Sequence, residues 1–558
     1  MSHNRKFPLI RLSPFVFVLL VACRNNKNSG DKNPLPVMTM AERVSEELEK
    51  NVNQIKKSKG ELNDSAIIQY PDITDSLYEN SHYQPLWSMD SHWLPLEDSL
   101  FNFIEGSKMY GLFPNDYHYR TLAFIHRVFL ADSLGKKNAA LWARADILLT
   151  DAFFRLVKDI KQGRLQYDSV TLRTDTILKR KIFINAFTSA KQSGDIISVM
   201  HALEPRYKGY DSLKTYLSRF LSKADFKPCT YLSYPYKDSV FFFKQLEKRL
   251  HELNELTPDM NNLDTIAFAR IIKKYQKEQG FKVTGKLSDP LVDQLNNTDW
   301  EKFNRIAINL DRYKLLPDTL PRTYLWVNLP SFMLRVMNND TLVFQSRVIA
   351  GEPQTRTPVL TSEIYNFITY PQWTVPYSVI FKEMLPKIRE NVAFLDKENL
   401  MVVDKNDSVL DPHTINWKKL NKEHFPYLIK QREGDNNSLG VIKFNFRNKY
   451  SVYMHDTNVR WLFGKSSRAF SHGCVRVKEW EKLADFLIRN DTLKYHPDSL
   501  RAWIGRQEKH TVTGFTKLPV YIRYFTCEGK DGGIKFYNDI YEEDRYLREK
   551  YFDNKTVD

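Results

Sequence analysis

Apolar residues recur at helical spacing through the first part of the chain. Leu141, Ala145, Leu148, Ala152 and Leu156 share one helical face, and Tyr210, Leu213 and Leu217 begin another helix after Leu203-Glu-Pro205. The pattern breaks into turns at Tyr83-Gln-Pro-Leu-Trp87 and Tyr110-Gly-Leu-Phe-Pro114. Residues 41–236 are therefore predicted as a mainly helical domain. Its aromatic residues suit core packing or a sugar platform, and no paired carboxylates insist on glycosidase chemistry. Three shorter stripes follow: Phe243, Leu246, Leu250 and Leu253; then Phe268, Ile271, Ile272 and Tyr275; then Leu291 and Leu295 after Ser288-Asp-Pro290. With the turn at Gly280-Phe-Lys-Val-Thr-Gly285 they predict a three-helix module over 237–299. Trp300 to Tyr313 reads as a connecting helix within a joining segment, 300–321.

After Pro317 and Pro321 the period falls to two. Tyr324–Asn328, Phe332–Met337 and Thr341–Val348 are predicted strands, with Asn338-Asn-Asp340 as the turn between the last two. Ile364–Tyr370 and Val441–Phe446 continue this β-rich domain, predicted over 322–545. Residues 377–439 interrupt it with a helix near Ile380–Arg389 and polar turns. Leu518–Thr526 and Gly533–Tyr537 are expected to add a strand pair to the same sheet, leaving 546–558 as a C-terminal tail. The fold class is multi-domain α+β.

The chain has 558 residues, 42% hydrophobic and 27% charged, a globular composition that exceeds one core. Its net charge of +15 fits a solvated lysine-rich surface or an anionic polymer or lipid. No zinc-finger spacing or aromatic–basic RNA motif occurs, so nucleic acid is not an expected partner. No paired metal-ligand spacing occurs either, and neither metal nor cofactor is expected. Arg5, Lys6 and Arg11 precede the apolar run Pro14–Ala22, too short to span a membrane, so 1–22 reads as a signal peptide. Residues 23–40, rich in Asn, Lys, Ser, Gly and Pro, read as a flexible tether. Cys229 and Cys527 are left either to pair or to stay separately buried. The sequence sets no oligomeric state.

The chemistry concentrates in two short stretches. Ser451, Tyr453 and His455 fall on one face of a predicted strand, and after a polar loop the chain returns through Ser471-His-Gly to Cys474, with a helical pattern from Trp480. A thiol needs a nearby base, because at neutral pH it is only a few per cent thiolate. Gly473 leaves room for a carbonyl beside the backbone N–H groups, which suits an oxyanion.

This His-x15-Ser-His-Gly-Cys-x-Arg arrangement resembles the L,D-transpeptidase catalytic domain. Gly351–Pro358 and Tyr370–Pro376 resemble its early strands, so the resemblance spans about 320–540. It implies a large multi-domain form: a helical scaffold domain, a peptidoglycan-binding-like three-helix module or plain spacer, and a β-rich catalytic domain in which 377–439 is an inserted cap or a surface excursion. It also implies peptidoglycan 3→3 cross-linking through a cysteine thioester, with Cys474 as nucleophile and His455 as base. Backbone N–H groups of Gly473 and Cys474 would hold the oxyanion, and Ser471 and Asp456 join the pocket, a backbone carbonyl near Asp456 orienting the His455 ring. His472 is the competing base or a pocket-lining residue. Arg476 meets a substrate carboxylate or makes a structural ion pair, and Tyr453 reaches the carbonyl or packs in the core. The implied partners are a tetrapeptide donor stem and a diaminopimelate-containing acceptor. The alternatives are an L,D-carboxypeptidase or cysteine hydrolase of wall peptides, and a non-catalytic wall-binding lipoprotein. Leu20-Val-Ala-Cys23 resembles a bacterial lipobox. It implies lipidation of Cys23 and a periplasm-facing, membrane-anchored protein in the cell envelope, against the alternative of an ordinary signal peptide. Arg24 in place of an aspartate points to the outer membrane.

Overall fold

The computed structural model describes residues 38–62, 66–131, 134–166, 170–171, 177–227, 229–490, 495–552 and 555. The predicted signal peptide, Cys23 and all but the last residues of the tether lie outside them. The first helix, Met40–Lys57, begins inside the expected tether. Thr39 caps it and forms a capping box with Glu42, a local signal that stabilises by about 1 kcal/mol. Among the described residues no helix is long and apolar enough to cross a membrane.

The helix Ala139–Lys161 is the axis of the helical body. It is buried on every side between Trp142 and Ile160, so it is wrapped by neighbours rather than laid on a surface. Helices Met40–Lys57, Pro71–Asn80, Pro95–Glu105, Tyr119–Ala131, Arg180–Ser193 and Ile196–Leu203 pack around it. Asp146 ties the predicted turn at residues 83–87 to this axis. Its carboxylate accepts from the Leu86 and Trp87 N–H groups and the Tyr78 hydroxyl, and burial pushes its pKa up to about 6.

A second core changes three expectations. The helix Asp299–Tyr313, expected as a connector, is a core element on which the helix Lys208–Leu221 of the expected scaffold packs. Of the expected strand pair, Leu518–Arg523 joins the catalytic sheet, whereas Gly533–Phe536 pairs with Cys527–Lys530 outside it. The latter two form their own hairpin against the 208–221 helix, with Ser212 Oγ donating to the Gly529 carbonyl. The C-terminal segment is not a free tail, because Glu543–Leu547 and Arg548–Phe552 are helical and bury Leu547 and Phe552. Buried polar pairs explain all three. The Asn309 side chain exchanges hydrogen bonds with Thr526 (2.7 and 2.9 Å), and Arg312 pairs with Asp544. These partners are satisfied only if the chain turns away from the sheet at residue 526.

The three-helix module is Ser239–Glu252, Thr265–Glu278 and Asp289–Leu295 around one apolar cluster. Buried Gln276 closes its turn, accepting from the N–H groups of Thr284 and Gly285 at 2.8 Å.

The catalytic sheet has the strand order 469–471, 341–351, 475–477, 454–455, 442–446, 360–369, 511–523, 323–328 and 333–338. The strand 333–338 also pairs with 341–351, so the sheet closes on itself. Asn339 and Asp340 have positive φ, as a tight two-residue hairpin turn requires. Leu483, Ala484, Leu487 and Ile488 of the helix Trp480–Ile488 cover the core. The insertion has a core of its own, including Ile380, Ile388, Val402, Trp417 and Ile429, and a four-stranded sheet. It begins at Trp373, earlier than the predicted residue 377.

Candidate active site

Three adjacent strands build the site. Lys443 stands opposite His455, and His455 opposite Arg476. Side chains alternate across a strand. Ile442, Phe444, Met454, Val475 and Val477 therefore enter the sheet's core, while Lys443, Tyr453, His455, Cys474 and Arg476 take the other face. Two local expectations change. The ladder covers only Met454–His455, since Ser451 has φ +56°. Cys474 precedes a strand, Val475–Val477, before the chain reaches the helix from Trp480.

Tyr453 lies directly across from Cys474. Its backbone N–H and hydroxyl both bond the sulfur, and the Trp373 side chain bonds the same hydroxyl. Burial pushes the Cys474 thiol up, and Tyr453, Lys443 and Arg476 offset part of that rise. His455 is one pleat along on the same face and is 4% exposed. Its pKa falls to about 3, first through burial and then through the positive charges of Arg476 and Lys443, while backbone groups of Asp456 and Leu439 oppose the fall. The Nδ1 atom is buried without a hydrogen-bond partner. The resting pair is thus a neutral thiol and a neutral imidazole, in a setting that disfavours both ions before substrate arrives.

The loop before Cys474 is held from below. Gly473 has φ +114°, a conformation that L side chains rarely adopt. Ser471 Oγ accepts from the Gly473 N–H (3.2 Å) and donates to the Cys474 carbonyl (2.5 Å). Thr355 and Thr357 hydroxyls donate to the carbonyls of Ser471 (3.0 Å) and Gly473 (2.9 Å). Tyr541 completes the support, donating to the Gly351 carbonyl (2.8 Å) and accepting from the Thr357 N–H (3.1 Å).

Residues 322–522 match the family model of the L,D-transpeptidase catalytic domain, and residues 72–217 that of a scaffold domain. The chain carries an L,D-transpeptidase catalytic domain. A putative L,D-transpeptidase of Haemophilus influenzae is 32% identical over 252 residues, 44% of this chain and 48% of that protein. The chain therefore spans about half the length of this curated relative. Two solved structures are also similar. One is a Cys-to-Ser mutant of the Enterococcus faecium L,D-transpeptidase (11% identity, 48% of this chain, 86% of that one), the other the Ldtfm–avibactam carbamoyl enzyme (12% identity, 49% and 86%). Each has a TM-score of 0.16, and no argument rests on them.

Within this transpeptidase domain some predicted site residues stand elsewhere than expected. His472 is exposed and its Nε2 lies 2.7 Å from Glu383 of the insertion, so it ties cap to loop and does not face the thiol. Asp456 serves the site through its backbone, which bonds His455, while its side chain is buried away from the pocket. Its carboxylate takes the Arg460 guanidinium and the Val441 N–H, because the pleat sends its side chain to the face opposite His455. Gly473 spends its N–H on Ser471, which leaves the Cys474 N–H, without a partner among the described residues, as the backbone donor open to an oxyanion. Arg476 makes no ion pair with a described residue; its Nη1 donates to Thr457 Oγ1 at 3.3 Å. Cys229 and Cys527 are both free thiols. Lys443, Trp373, Thr355, Thr357 and Tyr541 escaped the sequence reading. Thr355, Thr357 and Trp373 lie in the stretches that resemble the family's early strands, and Lys443 stood out as a cation on the polar face of an otherwise apolar strand.

Proposed function

We propose that the chain is a peptidoglycan L,D-transpeptidase that works through a Cys474 thioester. The observation that carries this reading is the shared face of Cys474, His455 and Tyr453 inside a domain of that family. The Cys474 sulfur attacks the carbonyl of the third residue of a tetrapeptide stem, and its proton passes to His455. The Cys474 N–H and the Tyr453 hydroxyl meet the oxyanion as it forms. His455 returns the proton to the leaving amine, and D-alanine departs. The side-chain amine of a diaminopimelate on a neighbouring stem then takes the acyl group, giving a 3→3 cross-link and the free thiol. Because the resting pair is neutral, His455 acts as a general base during attack rather than as half of a standing ion pair. The insertion, tied to the loop by Glu383 and His472, serves to keep water from the thioester. The N-terminal pattern supports placement in the cell envelope, anchored through a lipid on Cys23.

Intact-mass analysis tests the reading. Incubation with a disaccharide-tetrapeptide is expected to add the acyl group at Cys474 and yield cross-linked dimer. Tripeptide alone would make the protein an L,D-carboxypeptidase. An adduct retained in Cys474→Ala would move the nucleophile elsewhere.

A further inference from the structure

Lys443 and Arg476 flank His455 on the same row of the sheet, one strand to each side. Burial depresses the pKa of both, and both charges act on Cys474. Neither has a carboxylate partner among the described residues. The Lys443 ammonium sits 4.0 Å from the centre of the Tyr453 ring, and it makes no hydrogen bond or ion pair with a described residue. Arg476 reaches only Thr457, and its Nε is buried without a partner. Other desolvated guanidinium groups also leave single nitrogens unpaired, but they hold a carboxylate or several carbonyls. Arg312 has Asp544, Arg335 has Glu528, and Arg468 donates to the carbonyls of Val348, Phe332 and Lys465. The carboxylate nearest in sequence, Asp456, is taken by Arg460. Desolvating a cation without a counter-ion costs several kcal/mol, so two such cations beside one nucleophile indicate an anion that arrives with the substrate.

We propose that Lys443 and Arg476 form a subsite for the free α-carboxylate of the residue that leaves the donor peptide, and that Lys443 is its specificity-determining member. The inference rests on the acyl-transfer reading above and adds to it which end of the donor is read. Distance selects this carboxylate. The carboxyl carbon of the leaving residue lies one residue beyond the attacked carbonyl, a span of about 3.8 Å. Neighbouring strands are about 4.8 Å apart, so a carboxylate at that range from the sulfur falls between the two cations. A donor one residue longer would carry its carboxylate about 3.5 Å further out and place a neutral amide between them. Binding also changes the chemistry: an anion here cancels the two charges that oppose an imidazolium at His455, so proton transfer from the thiol becomes easier once the correct donor is seated.

The test uses the full chain and a tetrapeptide donor carrying either a C-terminal carboxylate or the matching carboxamide. Cys474 acylation is followed by intact mass in single turnover. The wild type is expected to acylate about tenfold or more faster with the acid, the size of one charge-assisted contact. That ratio should fall toward one in Lys443→Met and persist in Lys443→Arg. Equal rates in the wild type, or an unchanged ratio in Lys443→Met, would overturn the subsite. If neither donor acylates the wild type, the acyl-transfer reading has failed. The subsite is then judged by alkylation of Cys474 with iodoacetate against iodoacetamide. A lower ratio in Lys443→Met than in wild type supports the cationic subsite, and an unchanged ratio refutes it.

Discussion

Replacing His455 by Gln removes a buried imidazole whose folded pKa of about 3 lies far below its ordinary value of 6.5. Such a group destabilises the fold as pH falls, because the unfolded chain takes up a proton that the folded chain refuses. The loss begins near the unfolded pKa and continues down to about pH 3. Between pH 7.5 and 5 the unfolded imidazole gains about 1.5 pH units of protonation at ~1.4 kcal/mol each, or about 2 kcal/mol. Other buried groups act in the opposite sense. Glu543, raised to about 8, and Asp539 and Asp146, raised to about 6, add stability that is complete in acid and fades as pH climbs through those values. They are common to wild type and variant and cancel in the difference. The assay is hydrogen exchange of peptides covering 442–446 and 475–477 in the full chain, at pH 5 and 7.5, corrected for intrinsic rates. The stability difference between wild type and His455→Gln should shrink by about 2 kcal/mol at the lower pH, roughly thirtyfold in protection. The same difference at both pH values would mean that the imidazole is not held neutral by burial and its two flanking cations, and the general-base argument would go with it.

Because burial raises the Cys474 thiol above its ordinary pKa, its alkylation by iodoacetamide should keep accelerating past pH 9; a plateau in acid, followed by mass spectrometry, would point to a standing thiolate–imidazolium pair instead. Thr357→Val removes the hydroxyl that joins the Gly351 N–H to the Gly473 carbonyl, leaving both unpaired at about 1–3 kcal/mol each, and should slow acylation of Cys474 at least tenfold in stopped-flow measurements. Glu383→Ala frees His472 from the cap; the pair is well exposed, so melting temperature should hardly move while the yield of hydrolysed over cross-linked product rises. Phe552→Ala empties a fully buried ring position and should cost about 3–5 kcal/mol locally, read as faster proteolysis between residues 523 and 552.

The Cys474 and His455 stretches were readable because their signals are local. A fixed spacing, a glycine before the thiol and a two-residue alternation survive without knowledge of any partner. The same alternation predicted which side of Met454 each neighbour would take. The backbone of Asp456 meets His455 as its place in the chain suggested, whereas its side chain leaves the pocket because the pleat puts consecutive side chains on opposite faces. Lys443 was visible as a residue but not as a site, since its meaning lies in the absence of a carboxylate around it, and that is a property of the assembled strands.

By itself the sequence determined element type, since helical and strand periods, capping residues and turn chemistry act over a few residues. It located the helical body, the three-helix module, the β-rich domain and the reactive pair. Tertiary structure alone decided which apolar faces met and where the buried polar groups found partners. That is why Asp299–Tyr313 became a core, why the chain leaves the sheet at Thr526 to satisfy Asn309, and why Tyr541, 67 positions after Cys474, supports its loop. A desolvated hydrogen-bonding group must be paired, but nothing in its local sequence names the partner.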